Sequence, residues 1–236
     1  MLKADDFLPI LLVPGLNCSP RVYEAQIPAL WELGQVTVAD HRRDNTMPAI
    51  AKRILSAAPP RFRLAGFSMG GLIAMEIMRQ APDRVAKLAL LDTSARPETP
   101  VQTERRGKLM ALARNERLIE INDVLWPLIV HESKKDDTPL RAAVDKMALE
   151  TGGEAFVRQE EAIIARADSR PLLSAIKCPT VMIVGDSDQL IPPAHAKEIA
   201  DGISGARLET IANCGHMSTM EEPAKVTKLL VDFFAG

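Results

Sequence analysis

Gly66-Phe67-Ser68-Met69-Gly70 follows a short apolar run (Phe62, Leu64, Ala65) and precedes a helical pattern from Leu72 to Arg79. The spacing Gly-x-Ser-x-Gly between a strand and a helix predicts a nucleophile elbow, a turn so sharp that the serine is held in strained backbone geometry with its hydroxyl exposed. Small residues must flank such a turn, because helix and neighbouring strand come close there. Gly66, Gly70 and Gly71 supply that room. Five residues with three fixed recur by chance, so the motif needs the rest of the chain.

Outward from the elbow, short apolar runs alternate with helical patterns. The expected strands are Leu8–Val13, Gln35–Ala39, Phe62–Gly66, Val85–Leu91, Thr180–Val184 and Arg207–Ile211. The expected helices between them lie near Glu24–Leu33, Pro48–Ala57, Gly70–Gln80, Pro193–Gly202 and Pro223–Phe234. Such alternation implies right-handed crossovers and a parallel sheet with helices on both faces. Chemistry on such a sheet belongs in the crevice beyond the carboxyl ends of the strands.

The alternation breaks once, between about 94 and 171. That segment has no strand pattern and reads as four helices: Glu104–Arg114, Leu118–Trp126, Leu140–Glu150 and Glu154–Ala167. With 12 Lys and Arg against 14 Asp and Glu from Pro97 to Arg170, its charge is mixed. The expected organisation is an α/β core of residues 1–94 and 171–236 with an all-helical cap, 95–170, above the strand ends.

A serine hydroxyl needs a base at neutral pH. Of four histidines, His216 in Asn213-Cys214-Gly215-His216 lies just after the last strand, where a loop opens onto the crevice. His131 sits in a charged loop, His195 follows two prolines, and His41 lies among charges. The turn His41-Arg42-Arg43-Asp44 is read as solvated. An acid must hold the tautomer of the base and stabilise its charged form. Asp186, Asp188 and Asp92 all follow strands, and position alone leaves the three open. Serine, acid, histidine is the order used by α/β-hydrolases.

The chain resembles the α/β-hydrolase superfamily, in particular its small capped esterases, enol-lactonases and cofactor-free haloperoxidase-like members. The matching segments are Leu11-Leu12-Val13-Pro14-Gly15-Leu16, Gly66 to Gly71, Gly185-Asp186-Ser187-Asp188 through Pro192, and Cys214-Gly215-His216. The resemblance implies an α/β-hydrolase fold with a mainly parallel sheet of about six strands. The family pattern G-x-x-D-x-x-x-P falls on Gly185, Asp188 and Pro192, which selects Asp188 as the acid beside Ser68 and His216 and leaves Asp186 as turn chemistry. The oxyanion donors are expected to be the N–H groups of Met69, the residue after the nucleophile, and of Leu16, by its match to the family's H-G-x position. Pro14 replaces the usual histidine of that motif, so the loop must be braced in another way.

Substrate contacts are expected from Asn17, from an apolar lining that includes Trp126, Leu128, Ile129, Phe156 and Ile163, and from Arg158, which could bind a substrate carboxylate. The implied activity is hydrolysis of a small carboxylic ester through an acyl-enzyme. An enol-lactonase or C–C bond hydrolase would use the same three residues, and a ligand-binding protein or receptor the same cavity with little turnover. No metal or cofactor is required.

Composition fits this reading. Hydrophobic residues make up 47% and charged residues 25% of 236, and the net charge of −2 implies neither nucleic acid nor an anionic membrane as partner. Three cysteines at irregular spacing suggest reduced thiols. The acidic start, with Pro9 in the apolar stretch after it, makes a poor signal peptide. A cytoplasmic protein with a small-molecule ester substrate is the expectation.

Overall fold

The computed structural model describes residues 7–236; the acidic start read above as unlike a signal peptide lies outside them. Strand β1 (Ile10–Val13) leads through helix α1 (Ile27–Trp31) to β2 (Val36–Val38). Helix α2 (Met47–Ala57) precedes β3 (Phe62–Phe67), and α3 (Met69–Gln80) precedes β4 (Val85–Leu91). Then come α4 (Pro100–Arg114), α5 (Leu118–Ile129), α6 (Thr138–Thr151), α7 (Gly153–Ile164) and the short α8 (Arg170–Leu173). The chain returns through β5 (Thr180–Gly185), α9 (Pro193–Gly202) and β6 (Arg207–Ile211), and ends with α10 (Ser218–Glu221) and α11 (Pro223–Ala235).

The described residues form one six-stranded sheet in the order β2-β1-β3-β4-β5-β6, with every pair parallel. Alternate residues of a strand face opposite sides, and both sides are apolar. Ile10 and Leu12 of β1, with Ala65 and Phe67 of β3, pack toward α11 through Val226 and Leu230. Leu11 and Val13, with Phe62 and Leu64, pack toward α2, α3 and α9 through residues such as Ile50, Ile73 and Ile199. Two covered faces explain why these strands read as continuous apolar runs.

Boundaries shift where capping chemistry overrides apolar periodicity. Helix α4 begins at Pro100, four residues before its expected start, because Thr99 and Gln102 form a capping box behind a proline in the first turn. Helix α5 runs on to Ile129, with Pro127 in its last turn, rather than stopping at Trp126. The helix expected over Glu24–Leu33 is instead a 3-10 turn (Pro20–Tyr23) and the five-residue α1.

The elbow depends on backbone contact between β1, β3 and α3. A Cβ on Gly66 would lie 2.3 Å from the Gly70 carbonyl oxygen, and one on Gly70 would lie 2.0 Å from that of Val13. Neither neighbour is a side chain that can turn away. Gly70→Ala should therefore lower stability by about 3 kcal/mol or more, the upper range for overpacking. Thermal denaturation checks this as a fall in Tm of roughly 6–12 °C; a wild-type Tm would show that α3 can shift at no cost.

Candidate active site

Ser68 occupies the step from β3 to α3 with φ 53° and ψ −116°, outside the regions L-residues normally adopt. Its amide is anchored to the Leu91 carbonyl at 2.8 Å. The strain is held by β4 on one side and the helix on the other. The loop after β6 brings His216 in, and the loop after β5 brings Asp188. His216 Nε2 lies 2.9 Å from Ser68 Oγ, and His216 Nδ1 lies 2.7 Å from Asp188 Oδ2. With the ring proton on Nδ1, the imidazole donates to Asp188 and accepts from the serine hydroxyl. The other oxygen of Asp188 accepts from the Leu190 and Ile191 amides at 2.9 and 2.8 Å. All three residues are buried.

Two of the three candidate acids stand elsewhere. Asp186 is exposed and accepts from the Ser187 hydroxyl and the Cys214 amide, as a turn residue does. Asp92 is fully buried and ties two loops together without touching the ring. The Gly185 amide donates to its Oδ1 at 3.0 Å, and the Ser218 hydroxyl bonds Oδ2. Burial first, then the charge of Asp188, pushes the Asp92 carboxyl up to about 8. For His216, burial opposes the charged ring, but the charge and hydrogen bond of Asp188 outweigh it, and the net direction is above the ordinary 6.5.

The amides of Leu16 and Met69 donate to no described residue, and both residues line a cavity of about 280 Å³ at the strand ends. Ser68 and His216 share that cavity, and helices α4 to α7 complete its wall. Asn17 is there as well, with φ 58° and its side-chain oxygen buried without a partner. Its amide donates to Gln159 Oε1 of α7 at 3.0 Å.

The bracing of the Pro14 loop comes partly from His41, which corrects the reading of its turn as solvated. Arg42 and Arg43 are exposed and pair with Asp40, but His41 is 2% exposed, with Nε2 2.9 Å from the Gly15 carbonyl oxygen. In the Nε2–H tautomer it donates to that carbonyl, and Gln159 Nε2 lies 3.0 Å from the same ring nitrogen. A charge-rich sequence context hid one buried member.

Two expected substrate contacts are not in the cavity wall. Trp126 packs inside the helical segment, where its indole N–H donates to Lys135 O at 2.9 Å and Arg141 covers its ring. Arg158 points outward and donates to the Arg42 carbonyl at 2.9 Å. Of the apolar lining proposed, Ile129 and Ile163 reach the cavity, whereas Phe156 is fully buried in the core. Arg105, Asn122 and His195 line the cavity unforeseen. The sequence singled out none of them, since the capping box fixes where α4 starts and not which of its faces meets the cavity.

Among the described residues, no helix is long and apolar enough to cross a membrane. A family model described as the alpha/beta hydrolase fold matches residues 28–223. Among curated proteins, a 2-hydroxy-6-oxononadienedioate/2-hydroxy-6-oxononatrienedioate hydrolase of Paraburkholderia xenovorans is 27% identical over 211 residues, 87% of this chain and 73% of that protein. Two solved structures are similar throughout. A thermophilic esterase from Thermogutta terrifontis, with malate bound, has a TM-score of 0.85 at 29% identity, covering 95% of this chain and 88% of the other. The enol-lactonase from Burkholderia xenovorans LB400 has a TM-score of 0.87 at 27% identity, covering 98% and 92%.

The protonation of Asp92 gives a test through stability. An unfolded Asp titrates near 3.9, so between that pH and about 8 the folded protein keeps a proton that the unfolded chain sheds. The stabilisation is complete below the unfolded pKa and is lost as pH rises through the window. Asp92→Asn, a neutral isostere, escapes this loss. Its Tm should gain on that of the wild type as pH goes from 4 to 8; a constant difference would mean that Asp92 is ionised throughout.

Proposed function

The chain belongs to the alpha/beta hydrolase family and is a hydrolase enzyme, and from that premise we propose that it cleaves small carboxylic esters through an acyl-enzyme on Ser68. The observation that carries this reading is the pair of hydrogen bonds, 2.9 and 2.7 Å, joining Ser68 to His216 and His216 to Asp188. In this mechanism His216 takes the serine proton as Oγ attacks the acyl carbon. Asp188 supports the imidazolium, and it is suited to this because its second oxygen is held by two amides. The Leu16 and Met69 amides receive the developing oxyanion, each such donor being worth on the order of 10²–10³ in rate. His216 returns the proton to the leaving alcohol, then activates the water that frees the acid. The segment 95–170 serves as a cap, since its helices close the cavity over Ser68 and limit its size.

A lactone is an internal ester, and the likeness to an enol-lactonase falls within the same acyl chemistry. The likeness to a hydrolase of long dioates keeps C–C bond cleavage as the neighbouring reading on the same three residues. A panel of esters, lactones and keto acids separates these.

Ser68→Ala should reduce turnover of 4-nitrophenyl esters by about 10⁴–10⁶-fold and abolish labelling by a serine-directed phosphonate. Retained turnover would remove Ser68 from the mechanism, and a wild-type protein that resists the probe would point to a ligand-binding role instead. The base must be neutral to act, and its pKa is displaced upward. The acid limb of kcat/KM should therefore have its midpoint above 6.5 and move down in Asp188→Asn. A profile flat from pH 5 to 8 would exclude His216 as the base.

A further inference from the structure

Four arginines reach the wall of the cavity that holds Ser68: Arg96, Arg105, Arg106 and Arg166. Three are neutralised within the fold. Arg96 pairs with Glu198 at 2.9 Å, and Arg106 bridges Glu98 at 2.8 Å and Glu160 at 2.6 Å. Arg166 closes on Glu98 and also donates to the Arg96 and Ile163 carbonyls. Each of these three guanidiniums is thus paired with a carboxylate, although Glu160 Oε1 stays buried without a hydrogen-bond partner. Arg105, partly buried, makes no hydrogen bond and no ion pair with any described residue, although Arg is charged at every working pH.

Its direction follows from the helix. Gln102, Arg105 and Leu109 stand at spacings of three and four on α4, which puts them on one face, and all three line the cavity. Burial works against the charge of Arg105, and Glu160 and Glu98 favour it only from a distance, so an anion in direct contact would offset that penalty. Apolar side chains from three different helices, Leu109, Leu125, Val144 and Met147, line the same cavity.

From this arrangement we infer that Arg105 is the docking point for a carboxylate on the substrate, so that the ester or lactone taken has an apolar body and one anionic end. The inference rests on the reading of Ser68 as nucleophile and adds the substrate class. A carboxylate is favoured over a phosphate dianion because the surplus is a single positive charge, with Glu98 and Glu160 holding the neighbouring field near neutral. The planar fork of Arg105 also matches a carboxylate through two parallel hydrogen bonds. A cavity of about 280 Å³ lies just below the usual range of ligand pockets, ~300–1,000 Å³, which confines the substrate to a small molecule. Arg158, the arginine expected from sequence to meet a carboxylate, faces away from this space.

Two matched pairs put the charge on either side of the scissile bond: mono-4-nitrophenyl glutarate against 4-nitrophenyl valerate, and 3-carboxyphenyl butyrate against phenyl butyrate. In at least one pair the wild type should favour the anion. Arg105→Gln should cut that anion-to-neutral ratio of kcat/KM by about 10–100-fold, the range for a hydrogen-bonded charge, chiefly through KM. Arg105→Lys should restore part of it, and Arg158→Gln should leave the ratio at the wild-type value. Calorimetric titration of Ser68→Ala protein with the same esters, which that variant does not turn over, reads the contact without chemistry. Equal binding of anionic and neutral esters, or a preference untouched by Arg105→Gln, overturns the carboxylate site even if neutral esters are hydrolysed. A preference lost in Arg105→Gln in a protein that hydrolyses no ester retains the site and overturns the nucleophile reading instead.

Discussion

Ser68 is held in a backbone conformation that no unconstrained serine keeps, and three elements must agree to hold it. β3 delivers it, β4 takes its amide through the Leu91 carbonyl, and α3 starts at the next residue. The close approach that makes this possible is between the Val13 carbonyl and Gly70, which joins β1 to the same helix. The loop after β1, with its free Leu16 amide, is thereby placed next to the elbow. One steric constraint sets the positions of the hydroxyl and of both candidate oxyanion donors together.

Around that constraint the charges are sorted by burial. The Asp188 carboxylate accepts from two amides and meets an imidazole, whereas Asp92, fully buried nearby, is offered one amide and one hydroxyl and has its carboxyl pushed up to about 8. Two carboxyls of the same type thus take different tasks, one electrostatic and one a neutral clasp between the β5 end and the loop that carries His216.

The parallel sheet was legible because each strand is buried on both faces and so is apolar at every position, as in Leu88 to Leu91. The elbow and the meeting of Ser68 with His216 were legible because both follow strands at fixed topological points, whereas Asp188 was told from Asp92 and Asp186 only by the pattern of Gly185, Asp188 and Pro192. The wall of the cavity was not. Which way a cap side chain points depends on how α4 to α7 pack together, and a single sequence does not encode that pairing locally. Trp126 and Arg105 illustrate this: the larger residue turned out to fill the interior of its own segment, and the cation that no periodicity distinguished lines the cavity that holds Ser68. His41 was misread for a related reason, since neighbouring charges describe the turn and not the one ring that folds under it.

Gln159 belongs to α7, but it spends its carbonyl oxygen on the amide of Asn17 and its amide nitrogen lies against His41. The ceiling of the cavity and the loop beside the reactive centre are therefore one mechanical unit. Any displacement of α7 would take from Asn17 its acceptor and from His41 its neighbour, so the shape of that loop is tied to the seat of a helix more than a hundred residues away in the chain.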